Sequence, residues 1–469
     1  KKRSFLRMDE QLREWWKLRY GKDVPRDAYV EILSSLQGHH ESGPNWQKKC
    51  NSSLDKHGWI APFHEPCLYR RQRGEDDEVN MQPDQLMSRQ IDDMLFAIKG
   101  DASDLGRSEF EKCVNELKED MDIEWEEGIA KHYNGIEIDQ RREYIAMNVA
   151  IYLTKIMENH GWENMKFSSS KPSAPLSEQL AKEIAKAGKG FLINTPEGMA
   201  LEAKMGFGYR CLLGELIFAC VVCRLDIAYA LSLLARYGQY PLEMHYIALK
   251  GVAKYCRETR DKPLIYWRQT PLEGLPAGDF VPYDIPDDLD FSFPEDPYLA
   301  NADVDASHAT DEETRKSTGG YIVYLFASAV IWLAKLQPTA AISSTEAEFM
   351  QAVSCGKCIK YCRNVMNGVG RNQMDPSPVR EDNMAAIMMI NQQRPTKRTR
   401  HIDTQWFAIQ EWKTMGDLVM EYVNTKSNSA DGLTKALGRV LHGRHANKAM
   451  GLYGSPYSFG KYKIPREKE

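Results

Sequence analysis

Four acids spaced along the C-terminal half of this 469-residue chain set the chemistry it can carry: Asp305, Glu348, Asp382 and Asp431. There is no Cys or His among them. Carboxylates contributed by separate elements make a hard, all-oxygen site, which suits Mg²⁺ or Mn²⁺ rather than zinc. Phosphodiester hydrolysis is the chemistry such a site would support.

The elements around each acid offer a plainer role as well. In Asn301-Ala-Asp-Val-Asp-Ala-Ser307, alternation puts Asp303, Asp305 and Ser307 on one face of a short strand, which could be an edge strand with a wet face. Ser343-Ser-Thr-Glu346 reads as a capping box opening a helix. Helical spacing from Glu348 then meets Ala352, Cys355, Ile359, Cys362 and Met366, so Glu348 heads the apolar stripe while Glu346 points away. A carboxylate on a buried face is costly unless it is paired or binds a metal. Asp382 ends a short strand and could cap the next helix, and Asp431 suits the first turn of a helix in any case. Only the four together are informative.

The runs carrying these acids are Asp305-Ala-Ser-His-Ala-Thr-Asp-Glu-Glu-Thr-Arg-Lys-Ser-Thr-Gly-Gly-Tyr321, Ser343-Ser-Thr-Glu-Ala-Glu-Phe-Met350, Glu381-Asp-Asn383, Arg400-His-Ile-Asp403 and Ala430-Asp-Gly-Leu-Thr-Lys435. In order and spacing they resemble the ribonuclease H domain that ends a copia-type LTR-retrotransposon polyprotein. The resemblance implies that Asp305, Glu348, Asp382 and Asp431 are catalytic metal ligands for two Mg²⁺ or Mn²⁺ ions, acting on the RNA strand of an RNA–DNA hybrid. It also implies a departure: the family's strand before the third acid is usually apolar, and Arg380 and Glu381 stand there, which is expected to loosen the site.

Composition allows two or three domains of ordinary globular character, and a formal net charge of −5 confines nucleic-acid binding to local patches. Ten scattered cysteines fit a reducing compartment. Cys220-Val-Val-Cys223 sits inside an apolar run, and Cys355, Cys358 and Cys362 share one side of a helix, so packing is expected of both groups. No signal peptide and no membrane-length apolar run is visible, so an intracellular protein, cytoplasmic within a virus-like particle or nuclear, is expected.

Upstream, Tyr29-Val-Glu-Ile-Leu-Ser-Ser-Leu-Gln-Gly38, Glu41-Ser-Gly-Pro-Asn-Trp46, His64-Glu-Pro-Cys-Leu-Tyr69 and Arg89-Gln-Ile-Asp-Asp-Met94 are similar to a copia-type reverse transcriptase palm, with the metal-binding pair Asp92 and Asp93 at a hairpin tip. The family's third aspartate lies just upstream of a Phe-Leu pair resembling Phe5-Leu6, which leaves the polymerase site incomplete here. The block from Gly206 to Arg260 resembles the thumb and connection. There Lys250, Lys254 and Arg257 share a helix face that could follow a phosphate backbone or be merely solvated, and Arg394, Lys397, Arg398 and Arg400 form a basic loop before His401.

The expected fold is therefore α/β, an RNase H-like mixed five-stranded sheet with flanking helices, preceded by a partial α+β reverse transcriptase palm and a helical thumb/connection. The expected divisions are 1–170 palm, 171–270 thumb/connection, 271–297 a Pro- and Asp-rich linker, 298–437 the RNase H-like domain and 438–469 a loosely ordered tail. Partners would be an RNA–DNA hybrid or a template strand. The rival reading is a decayed, catalytically silent element that keeps the fold and some nucleic-acid binding.

Overall fold

The computed structural model describes residues 4–32, 42–71, 85–98, 104–126, 128–164, 174–392 and 403–457. The basic loop with Arg394, Lys397, Arg398 and Arg400, and His401 after it, lie outside the described residues.

The N-terminal part comprises β1 (Ser4–Arg7), α1 (Glu10–Tyr20), β2 (Tyr29–Ile32), α2 (Ser42–Lys56), β3 (Leu68–Arg71), β4 (Gln85–Gln90), β5 (Asp93–Ile98) and α3 (Asp104–Lys118). β1 pairs with β2, and β3-β4-β5 form an antiparallel sheet against α2 and α3 with Cys50, Leu54, Trp59, Met87 and Leu117 at the centre. Then follow β6 (His132–Tyr133), β7 (Ile136–Gln140), β8 (Tyr144–Asn148), α4 (Ala150–Asn159), α5 (Glu178–Lys186), α6 (Pro196–Met205), α7 (Tyr209–Val222), α8 (Ala228–Ala235), α9 (Glu243–Glu258) and β9 (Leu264–Trp267). β9, after the helices, returns to pair with β8, so the β6–β9 sheet and the helical block share one core. Cys220 and Cys223 are buried in that core as free thiols, as their apolar run requires. Among the described residues no single helix is long and apolar enough to cross a membrane.

The C-terminal part is β10 (Asn301–Ser307), β11 (Thr318–Leu325), β12 (Ser328–Leu336), α10 (Ser344–Gly368), β13 (Ser377–Glu381), α11 (Met384–Asn391), α12 (Asp403–Thr414), β14 (Leu418–Tyr422), α13 (Asp431–Thr434) and α14 (Arg439–Ala449). The strand order β12-β11-β10-β13-β14, antiparallel on the first side of β10 and parallel on the second, is an RNase H-like mixed sheet of five strands. β10 is its central strand, not the edge strand its polar alternation allowed. Ala302, Val304 and Ala306 pack beneath α10 with Phe349, Ala352 and Val353, and the opposite face, with Asp303 and Asp305, is covered by the segment around α13 and α14.

Two segments hold more structure than their composition suggested. Residues 271–297 form no helix or strand, yet Leu275 and Leu289 are buried, Phe280 and Phe293 pack on the main core, and Tyr144 Oη donates to Asp279 at 3.1 Å. The stretch beyond Leu437 is no loose tail up to Tyr457. α14 buries His445, Lys448 and Ala449, Met450 O accepts from Ile265 N at 3.0 Å, and Gly451 O accepts from Trp267 Nε1 at 2.7 Å. A sequence without a long apolar run here still folds onto the body, where the Lys448 ammonium donates to Ser427 O at 2.7 Å and faces Asp303 at 3.4 Å.

Candidate metal centre

Each acid is placed by an identifiable local cause. Ser343 Oγ accepts from Glu346 N at 3.2 Å and Glu346 Oε2 accepts from Ile342 N at 2.9 Å, so the capping pair fixes the start of α10. Glu346 is thereby turned to the cap and itself largely buried, whereas Glu348, two residues on, heads the buried stripe of Ala352, Cys355, Ile359, Cys362 and Met366. Asp382 follows β13 directly. The cap of α11 is Asn383, whose Oδ1 accepts from Ala385 N at 3.0 Å and Ala386 N at 3.2 Å, and this leaves Asp382 free of that duty.

Asp431 opens α13, which reaches the sheet only because Gly320 opposes Asp305 across β10 and β11. A Cβ at Gly320 would lie 2.7 Å from Leu433 Cβ and 3.0 Å from Thr434 Cγ2. Thr434 Oγ1 then donates to Asp305 Oδ2, and Asn428 Nδ2 donates to Val304 O at 2.9 Å, fastening the α13 segment along β10.

The result brings Asp305, Glu348 and Asp382 together, with one carboxylate oxygen from each lying within 4.8 Å of the others. Asp305 and Glu348 are buried and Asp382 is half-buried. Burial, then the charge of Asp431, pushes the Asp305 carboxyl up to about 7, and burial, then the charges of Glu381, Asp305 and Asp382, pushes Glu348 up to about 11. Asp431 is raised by burial against the opposing ammonium of Lys435, with which it is ion-paired. The fourth acid therefore sits beside the other three electrostatically but is held by a lysine. These donors fit a divalent cation. All are oxygen, they are mutually repulsive, and Glu348 Oε2 is buried with no hydrogen-bond partner, a condition that a bound cation relieves.

Arg380 corrects an expectation. It does not loosen the centre, because it is neutralised in place: Nε donates to Asp303 Oδ1 at 2.6 Å, Nη2 to Asn301 Oδ1 at 2.8 Å, and the ring of Phe293 lies 5.6 Å from its guanidinium carbon. Glu381 was missed as part of the site. Fully buried, it accepts from Asn383 N at 3.0 Å through Oε1, leaves Oε2 unpartnered, and stands beside Glu348 as an additional carboxyl. The signal was present in the sequence as an acid where an apolar residue was expected. Lys435 and Gly320 were also legible only as motif letters.

Elsewhere, Asp92 and Asp93 lie at the β4–β5 hairpin tip as expected, exposed, with Ile91 at φ 58° and its carbonyl accepting from Trp46 Nε1 at 2.8 Å. No third acid joins them within metal-binding distance among the described residues. Lys250 and Arg257 are engaged within the protein: the Lys250 ammonium lies 4.8 Å from the Trp162 ring centroid and Arg257 Nη1 donates to Trp162 O at 3.1 Å. Lys254, on the same helix, is half-buried.

The class these features define is an α/β fold with an RNase H-like mixed sheet and a cluster of carboxylates, at the C-terminal ends of its central strands, that could hold a metal ion. No protein-family model matches the chain. The retrovirus-related Pol polyprotein from transposon TNT 1-94 of Nicotiana tabacum is 25% identical over 427 residues, covering 89% of this chain and 28% of that one. The corresponding polyprotein from transposon RE2 of Arabidopsis thaliana is 27% identical over 252 residues, 54% of this chain and 15% of that one. Secreted RxLR effector protein 161 of Plasmopara viticola is 31% identical over 142 residues, 30% of this chain and 82% of that protein. Over most of its length the chain is similar to retrovirus-related Pol polyproteins of plant copia-type transposons. It spans less than a third of the length of the polyproteins it matches.

Proposed function

We propose that the part from about residue 298 to 437 hydrolyses the RNA strand of RNA–DNA hybrids, as the RNase H region of a reverse transcriptase polyprotein. The convergence of Asp305, Glu348 and Asp382 within 4.8 Å, on an RNase H-like sheet, is the observation that supports this most.

Bound at this centre, two Mg²⁺ or Mn²⁺ ions would supply activation of the attacking water and charge stabilisation at the leaving oxygen. Asp305, Glu348 and Asp382 would hold the ions, with Asp431 beside them. The chain's own groups do the positioning. Thr434 orients the Asp305 carboxylate by donating to it, and Lys435 balances Asp431. Burial of the carboxyls keeps the centre poor in water and raises the strength of every charge interaction within it. Selection of RNA would come from 2′-hydroxyl contacts across the minor groove of the hybrid. The hairpin with Asp92 and Asp93 is assigned no step in this reaction.

A strand-resolved cleavage assay tests the reading. Labelled hybrid with Mg²⁺ or Mn²⁺ should lose its RNA strand alone, and Asp305→Asn and Glu348→Gln should each abolish cutting. No cutting by folded wild-type protein would favour a silent remnant of the element.

A further inference from the structure

A cavity of about 460 Å³ opens between α7 and the turn that follows α8. Leu213, Gly214 and Ile217 of α7 line it, together with three cations: Lys189 from the loop before α6, Arg210 from the first turn of α7 and Arg236 just after α8. Arg236 ties the cavity to the nuclease sheet. Its Nη2 donates to Thr318 Oγ1 at 2.8 Å, Nη1 lies 3.6 Å from Asp311, and Nε is buried without a hydrogen-bond partner among the described residues. Thr318 pairs with Ser307, two residues beyond Asp305 on β10, so the cavity adjoins the end of the sheet where the acids gather.

We infer that this cavity seats a backbone phosphate of the nucleic acid whose strand the acids address. The inference rests on the nuclease reading and deepens it. Three cationic side chains around a concave surface are the chemistry that recognises phosphate without regard to sequence, and such contacts set the register of a duplex. Arg236 is already held by Asp311 in a largely buried pair, so the free positive charge of the cavity comes from Lys189 and Arg210. Lys189 pairs with Glu313 at 2.8 Å, but both side chains are more than half exposed, and exposed pairs of this kind contribute roughly 0–1 kcal/mol. Arg210 is exposed. By contrast Lys250 and Arg257, the helix-face cations expected from the sequence, are already taken up by Trp162.

The test is hybrid binding by the full chain in EDTA, followed by fluorescence anisotropy across a salt series, for wild type, Lys189→Ala/Arg210→Glu and Lys204→Ala. Lys204 is exposed, pairs with Glu243 at 2.6 Å, lies outside the cavity, and controls for loss of positive charge as such. The double variant should weaken binding equally for hybrids of different sequence and flatten the slope of log K against log salt by about 1 per lost contact, with Lys204→Ala unchanged. Wild-type binding with an unaltered slope in the double variant overturns the phosphate seat and leaves the nuclease reading standing. The same slope change in Lys204→Ala also overturns it, as an effect of overall charge. Failure of the wild type to bind hybrid at all overturns the nuclease reading and, with it, this inference.

Discussion

Arg380 Nε donates to Asp303 Oδ1 at 2.6 Å across the parallel pair of β13 and β10, with both side chains buried. Lys448 Nζ reaches the other oxygen at 3.4 Å and Tyr324 Oη donates to it at 2.9 Å. Burial alone would push the Asp303 carboxyl up, but the charges of Arg380 and then Lys448 outweigh it and hold the group well below the usual carboxylate range. The two residues stand two positions before Asp305 on β10 and before Asp382 just past the end of β13, so the pair fixes the strand register that sets the spacing of two of the clustered acids.

Breaking that pair from one side is therefore expected to be severe. Arg380→Met should cost about 3–5 kcal/mol, because it strips Asp303 of its principal partner in a dry environment. The double change Asp303→Leu/Arg380→Met should cost less than Arg380→Met alone. Urea denaturation of the three proteins checks both statements.

Gly320→Ala should harm the centre without touching an acid. The added methyl meets Leu433 Cβ at 2.7 Å and must displace α13, and with it Asp431 and Thr434. Gly443→Ala, where a Cβ meets nothing within 4 Å on α14, should be neutral or stabilising by about 0.5–1 kcal/mol. The expected order is lost Mn²⁺ affinity in Gly320→Ala and wild-type affinity in Gly443→Ala, read by calorimetry.

The centre should also make stability depend on pH in a defined sense. Asp305 is raised to about 7 from an unfolded value of about 4. A carboxyl that binds its proton more tightly in the folded state contributes stability that is complete below about pH 4 and is lost as the pH rises through about 7. Metal-free wild type should therefore lose more stability between about pH 5.5 and about pH 8 than Asp305→Asn does. Ligands must be deprotonated to bind metal, so the rise in Tm on adding Mn²⁺ should be larger at the higher pH. Thermal melts in EDTA and in Mn²⁺ measure both.

Much of this was legible beforehand, for physical reasons that differ by residue. Glu348 could be placed because a helical period is local, and Asp92 and Asp93 because a two-residue turn between apolar strands is local. The position of β10 was not legible, since Asp303 reads as solvated until Arg380 and Lys448, far apart in sequence, are brought to it. The β11–β12 turn carries no Asn or Gly, and Phe326 and Ala327 take φ of 53° and 58° because Phe326 packs on Tyr298 with ring centroids 5.0 Å apart and its N donates to Pro297 O at 2.9 Å. α14 escaped notice for the same reason as β10: Lys448 looks like a surface residue until its Nζ donates to Ser427 O at 2.7 Å. Pairings of this kind are properties of the tertiary fold, and charge in the sequence conceals them.

The most direct test of the account is a Mn²⁺ titration of the full chain, by calorimetry or by electron paramagnetic resonance, in wild type and in Asp305→Asn with circular dichroism confirming that both are folded. Saturable binding in the wild type that is lost in the variant is the predicted result. Equal affinity in the two proteins, or none in a folded wild type, would contradict a metal centre built on Asp305.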